Sequence, residues 1–240
     1  MIEAREGVFK AGPLDLADRA KLTYILDRLV EYEGEWSDLH ADPASRRFAA
    51  SGYLADALVP GGQTSVLEVW HFDPTPSLVG LLGFTKIIRT VDAQFHPIFF
   101  DGKLRNALGK RELLLRAVDW AFQTWDLHRL SVEVPGYSAA FIKFLRRKMG
   151  FRFEAEDRTI VQERVVPHGH LKTRERVAMS PTWREAEAGS RRFQAFRKHG
   201  HWHDLILLSV TREEFATFLR EVTCPRSSTD PIPSKPSPVT

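Results

Sequence analysis

The stretch AQFHPIFFDGKLRNALGKRELLLRAVDWAF, residues 93–122, decides the fold. AQFHPIFF (93–100) is dense in aromatic and apolar side chains and reads as a strand. Pro97 cannot donate to a sheet ladder, so a bulge or an edge is expected there, with strand pairing broken at that point. DGKLRNALGKRE (101–112) is basic and short of large apolar side chains. After it, Leu114, Ala117, Val118, Ala121, Phe122 and Trp125 recur at the spacing of one helix face. A strand feeding a basic loop at a helix N-terminus is a physical recipe for holding a polyphosphate: first-turn N–H groups point outward and the helix dipole favours negative charge. Lys103, Arg105, Lys110 and Arg111 would add charge-assisted hydrogen bonds. A solvated basic loop is the competing reading of the same residues.

Upstream, SVLEVWHF (65–72) and LVGLLGFTKII (78–88) flank the turn signal DPTPS and predict an antiparallel hairpin. Leu22, Ile25, Leu26 and Leu29 predict a helix over 16–32, and a short helix over 44–57 is begun by Pro43 in its first turn. Downstream, LSVEV (130–134) alternates as a strand. Ser138 then caps a helix whose apolar face is Phe141, Phe144, Leu145 and Met149 and which Gly150 ends. FRFEAE (151–156), TIVQERVV (159–166) and WHDLILLSV (202–210) read as strands, and 213–219 as a short helix. Residues 167–198 are polar and basic and resist assignment. The order predicts a mixed α/β sandwich.

With 240 residues, 43% hydrophobic and 27% charged, the chain has the material for one large domain with a core. CPRSSTDPIPSKPSPVT (224–240) has too little apolar surface to offset the entropy of ordering, so the expected division is a domain over 1–223 and a disordered tail over 224–240. A net charge of +3 is a small surplus, and a partnership with nucleic acid is disfavoured. The basic run KFLRRKMGFR (143–152) fits a solvated amphipathic helix. One cysteine, Cys224, permits neither a disulfide framework nor a cysteine-based zinc site within the chain, which fits a reducing, cytoplasmic setting. Neither a secretory leader nor a long apolar run is present, so secretion and membrane spanning are disfavoured. His199, His201 and His203 would share one face of a strand, where three rings rarely converge on one ion, so a hydrated strand is preferred to a metal site.

LRNALGKRELLLRAVDWAF (104–122), LHRLSVEV (127–134), FIKFLRRKMGFRFEAEDR (141–158) and GHWHDLILLSVTREEF (200–215) occur in an order and spacing that resembles the GNAT superfamily of acyl-CoA-dependent N-acyltransferases. The branch most resembled includes the ribosomal-protein N-terminal acetyltransferases, over about residues 78–157 and again from about 200. The resemblance implies a mixed, mostly antiparallel central sheet with splayed strands, flanked by helices, with acetyl-CoA as co-substrate. It places the cofactor-binding stretch on residues 99–111: Phe99, Phe100, Lys103, Arg105, Asn106, Ala107, Leu108, Gly109, Lys110 and Arg111. The loop departs from the family's Q/R-x-x-G-x-G/A form in either register, with Arg105 in the first place or Ala107 and Gly109 in the small ones. It implies an amine-bearing acceptor, a protein N-terminus, a lysine or a small molecule, which attacks the thioester directly while a backbone N–H of the splayed strand steadies the oxyanion. A base must free the amine, and Glu133 and His96 are the candidates, with Tyr137 near the place of the family's acid. That acid's own place, four residues before Gly150, holds Arg146, whose permanent charge suits a CoA phosphate instead. The same departures leave open a catalytically altered module that binds CoA or a protein. Residues 159–200 exceed the connection expected between the last strands, and such an insertion would shape the acceptor pocket or a homodimer contact.

Overall fold

The computed structural model describes residues 1–4, 8–36, 40, 42–100, 108–157, 160–168, 171–179 and 183–223. A short strand β1 (Ile2–Glu3) and β2 (Phe9–Pro13) come first, and neither was expected from the sequence. Helices α1 (Arg19–Trp36) and α2 (Pro43–Ala57) come next. Asp18 Oδ1 accepts from the N–H groups of Ala20 and Lys21 at the start of α1, and Asp42 Oδ1 from Ser45 N–H at the start of α2, so each helix has its first-turn donors met by a carboxylate.

Strands β3 (Ser65–His71), β4 (Ser77–Ile88) and β5 (Asp92–Phe99) form an antiparallel meander, which includes the expected hairpin. Then come α3 (Leu108–Trp125), β6 (Arg129–Pro135) and α4 (Ala139–Met149). Gly150 ends α4 with φ 77°, and its missing Cβ leaves room for Phe218, whose Cγ would lie 2.8 Å from one. FRFEAE does not make a full strand: β7 is only Arg152–Phe153, and Glu154–Asp157 closes into a 3-10 turn. There Glu156 accepts from Phe153 N–H and from Arg146 and Arg152. TIVQERVV lies in β8 (Ile160–His168), as expected, and the stretch that resisted assignment holds β9 (Leu171–Met179), α5 (Trp183–Gly189) and β10 (Arg191–Lys198), before β11 (His201–Thr211) and α6 (Arg212–Thr223).

The main sheet runs β1-β2-β3-β4-β5-β6-β11-β10 with β7 beside β11, while β8 and β9 form a separate antiparallel pair. Every pairing in the main sheet is antiparallel except β5 with β6. One face is packed by α3, α4 and α6 through Leu113, Ala117, Phe122, Leu145 and Phe215, the other by α1 and α2 through Ile25, Leu29 and Leu54. Burial of these apolar faces is the main stabilising term. On the α1 side the buried Glu68 is fully engaged, by Lys21 Nζ at 2.8 Å, Asp15 N–H and Trp70 Nε1–H. No helix among the described residues is long and apolar enough to cross a membrane.

Candidate active site

The parallel pairing of β5 with β6 covers only Asp92↔Arg129, Ala93↔Leu130 and Gln94↔Ser131. At that end the strands are latched by Arg129 Nη2 to Asp92 Oδ2 at 2.8 Å and by Ser131 Oγ to Ala93 O at 3.2 Å. Beyond it β6 keeps its whole length on β11, through Pro135↔Leu205, and leaves β5. The sheet is thus two sheets joined at one end of a V.

Pro97 is where the sequence reading needs correction. The β4–β5 register continues through it without a shift, from Thr85↔Gln94 to Gly80↔Phe99, so there is neither a bulge nor a broken ladder at that pair. The reason is the direction of its nitrogen. Phe100 N–H donates to Val79 O at 2.9 Å, and backbone groups alternate along an antiparallel ladder, so Ile98 and His96 face β4 while Pro97 and Phe99 turn their nitrogens toward β6. The missing donor falls on the side from which β6 has withdrawn, and β5 is an edge only there.

A cavity of about 640 Å³ lies in the mouth of the V. Its walls come from α1, α2, β4, β5, β6, α4 and β11, and His96 and Glu133, both expected from the sequence, line it together. His96 and Gln94 on β5 and Glu133 on β6 share the α1/α2 face of the sheet with Thr85. His96 Nε2 and Thr85 Oγ1 are 2.9 Å apart, and Glu133 Oε1 accepts from Gln94 Nε2 and from Arg192 on β10, each at 3.0 Å. Burial holds the His96 pKa below its ordinary value, partly offset by the charge of Glu133 and reinforced by that of Lys86. The ring is therefore neutral at pH 7. A neutral imidazole carries one lone pair, on Nδ1 where Nε2–H donates to Thr85 and on Nε2 where the threonine hydroxyl donates to it.

Tyr53 of α2 also lines the cavity, and its only signal in the sequence is membership of an amphipathic helix. Its Oη is buried with no hydrogen-bond partner among the described residues, and burial pushes its pKa up. The hydroxyl rests over Gly83, where a Cβ would collide with it. Glu33 and His40 pair with one another at the wall of the cavity.

The other expected site residues are placed differently. Tyr137 stands after β6, outside the cavity lining, 47% exposed, its ring 5.2 Å from that of His203 and its hydroxyl 3.5 Å from Lys198 Nζ. Arg146 is turned about 140° around α4 from Phe141, which does line the cavity. Its guanidinium is held by Glu156 at 2.8 Å and lies over the Phe153 ring at 4.2 Å. Lys110 is no loop lysine: it is 3% exposed, with Nζ over the Phe99 ring at 4.2 Å. Gly109 packs on Phe9, whose Cδ2 would lie 2.9 Å from an added Cβ, so close helix–strand packing accounts for this glycine. Arg111 Nε donates to Lys148 O at 3.1 Å and braces α3 against the end of α4. Lys103, Arg105, Asn106 and Ala107 lie outside the described residues, as does the side chain of Leu108; Phe99 is the last residue of β5, and Phe100 stands directly after it. His199 sits in the turn before β11, and His201 and His203 on the strand; among the described residues no group of three metal-binding side chains comes together.

A splayed parallel pair within a mostly antiparallel sheet, a cavity in the V, and a helix following the first splayed strand decide the comparison with solved structures. The fold is that of the GNAT acetyltransferases. RimJ of Mycobacterium smegmatis, solved with CoA-disulfide, matches with a TM-score of 0.60 at 16% identity, over 94% of this chain and 93% of that one. Spermidine N-acetyltransferase of Vibrio cholerae, solved with CoA and spermine, matches with a TM-score of 0.54 at 14% identity, over 87% of this chain and 98% of that one. No protein-family model matches the chain, and neither does any curated protein sequence. The likeness is therefore to the GNAT fold, which hosts the two candidate side chains where its strands part.

Proposed function

We propose that the protein is an N-acetyltransferase that moves an acetyl group from acetyl-CoA to a primary amine by direct attack. The observation that carries this reading is the opening of β5 from β6 after Gln94↔Ser131, with neutral His96 and charged Glu133 facing the resulting cavity. Phe95 sits beside the last paired position and Pro97 has no N–H, so Phe99 supplies the amide donor that faces the gap. That donor suits an acyl oxygen gaining charge. The neutral His96 takes a proton from the substrate ammonium at its lone pair, directly or through water, and Glu133 stabilises the imidazolium that forms. Thr85 fixes the ring.

CoA binding rests on the gap, the half-buried end of β5 and the N-terminus of α3. Arg146, engaged by Glu156, does not take the part of the missing tyrosine acid. A thiol ionises near pH 8.5, so the thiolate can leave without a side-chain donor, and turnover should climb toward alkaline pH. A catalytically altered GNAT-fold module is the second reading, favoured by that same arginine.

The test is CoA release from acetyl-CoA by the full chain over a panel of primary amines, with His96→Gln and Glu133→Gln. Amine-dependent release that falls at least about tenfold in His96→Gln supports the reading. Tight acetyl-CoA binding with no release for any amine would move the assignment to the module.

A further inference from the structure

Glu133 is held from two sides, and one of them is the edge of the sheet. His96 and Glu133 each stand two residues beyond the last backbone pair of the V, Gln94↔Ser131, so no ladder bond fixes β5 against β6 at their level. Side chains hold the carboxylate instead. Gln94 Nε2 reaches from β5 across the parting strands and donates to Glu133 Oε1 at 3.0 Å, and Arg192 Nη1 reaches from β10 and donates to the same oxygen at 3.0 Å. Neither bond uses Oε2, which is left for a positive charge in the cavity.

The reach of Arg192 follows from register. Arg192 is paired with Leu205 and Glu133 with Leu207, and Leu205, which lines the cavity, shares one face of β11 with Leu207. The β10–β11 register shifts directly after Arg192, so that residues 193–195 stand opposite Asp204 alone. Asp204 pins this bulge. Its Oδ1 accepts from Gln194 N–H at 2.9 Å, its Oδ2 from Arg191 Nη1 at 3.3 Å, and its backbone O from Gly136 N–H, just past β6, at 2.9 Å. A bulge re-aims the side chain beside it, and this one ties the aim of Arg192 to the end of β6. The ion pair is partly exposed, with 55% of the Arg192 side chain and 18% of that of Glu133 open to solvent, so it contributes little to folding; its effect is on where the carboxylate stands.

Resting on the N-acetyltransferase reading, we propose that Arg192 is a positioning residue: with Gln94 it locks Glu133 by Oε1 and keeps Oε2 toward His96, where the imidazolium forms during turnover. An edge strand on the far side of β11 thereby belongs to the active site. The competing role for Arg192 is that of a counter-charge alone, and the two roles act on His96 with opposite signs. Burial lowers the His96 pKa, the charge of Glu133 raises it and that of Lys86 lowers it. Loss of a positioning arginine lets the carboxylate turn away, and the midpoint of the His96 titration falls. Loss of a mere counter-charge leaves the carboxylate in place and less compensated, and the midpoint rises.

The experiment follows the His96 ring by NMR in the full chain, its resonance assigned with His96→Gln, for the native protein, Arg192→Gln and Glu133→Gln. In Arg192→Gln the midpoint should fall toward that of Glu133→Gln. Release of CoA from acetyl-CoA is measured in parallel with phenethylamine, spermidine and the peptide Ala-Ala-Ala-amide as acceptors. For whichever amine supports release, kcat should fall at least about tenfold in Arg192→Gln, and adding Arg192→Gln to Glu133→Gln should lower it by less than about twofold more. A midpoint that rises or stays where it was overturns the inference, as do an unchanged kcat in Arg192→Gln and losses that simply add in the double variant. A fallen midpoint in a protein that releases no CoA with any of the amines refutes acetyl transfer and leaves the placement of Glu133 by Arg192 standing.

Discussion

The contact between Tyr53 and Gly83 can be tested by a double-mutant cycle. An alanine at 83 would place its Cβ inside the contact distance of Tyr53 Oη, with Cζ at 3.2 Å and His96 O at 3.5 Å. Overpacking of this kind costs about 1–3 kcal/mol, and loss of glycine freedom in the unfolded chain returns about 0.4–1 kcal/mol. Gly83→Ala should therefore destabilise by about 1–2 kcal/mol. Tyr53→Phe deletes a buried hydroxyl that has no partner among the described residues, so it should be neutral or stabilising by up to about 1 kcal/mol. In the double variant the oxygen is gone, and the remaining approach to the ring asks for a shift of only a few tenths of an ångström. The two changes should then couple by about 1–2 kcal/mol in the favourable direction. Urea denaturation of the four proteins measures this. Additivity within about 0.5 kcal/mol would show that the hydroxyl does not rest on Gly83, and a Tyr53→Phe that destabilises by more than about 1 kcal/mol would show that it has a partner.

Three further outcomes are expected from the same geometry. Because His96 has a folded pKa below its ordinary value of 6.5, the unfolded chain binds the extra proton first on acidification. Stability is whole above 6.5, is lost as pH falls from there toward the folded value, and should lose less in His96→Gln; thermal unfolding between about pH 5 and pH 8 reads this, and equal slopes would refute it. Lys21→Met strands the Glu68 carboxylate, 5% exposed, and should cost about 3 kcal/mol or more in chemical denaturation, with much of it regained on adding Glu68→Gln. Pro97→Ala should cost less than about 1 kcal/mol, since the ring nitrogen lies outside the β4–β5 ladder and only unfolded-state freedom changes; a net gain in stability would mean that the nitrogen faces β4, where the new N–H completes the ladder.

Much of the scaffold was legible because its signals are local. The periodicities of α1, α3 and α6, the alternation in β6, the glycine stop of α4 and the hairpin of β3 with β4 depend on near neighbours in sequence. β1 and β2 were not legible as strands, since β2 takes its partner from β3, many residues away, and β1 pairs with β2 in turn. FRFEAE has a strand composition, but Glu156 draws three donors to itself and turns the chain. At the site, His96 and Glu133 could be found because both lie on strands with an assignable order. Their partners Thr85, Gln94 and Arg192 could not, because which strand parts from which is decided by register. Lys110 and Gly109 have packing partners that the sequence could not show, since a basic residue and a glycine at a helix start look alike whether or not they also rest on Phe99 and Phe9, as these do.

The placement of Pro97 matters beyond catalysis. A sheet that splits internally exposes a run of backbone groups within its own interior, a template onto which a loose segment of this or another polypeptide can zip. At the middle of the β5 arm, that template lacks a donor and carries a rigid ring instead. An invading strand would lose a hydrogen bond and meet a steric block at the same point, whereas a slender ligand that needs only one amide would notice neither. A proline in this arm would thus disfavour a pairing strand more than a small ligand.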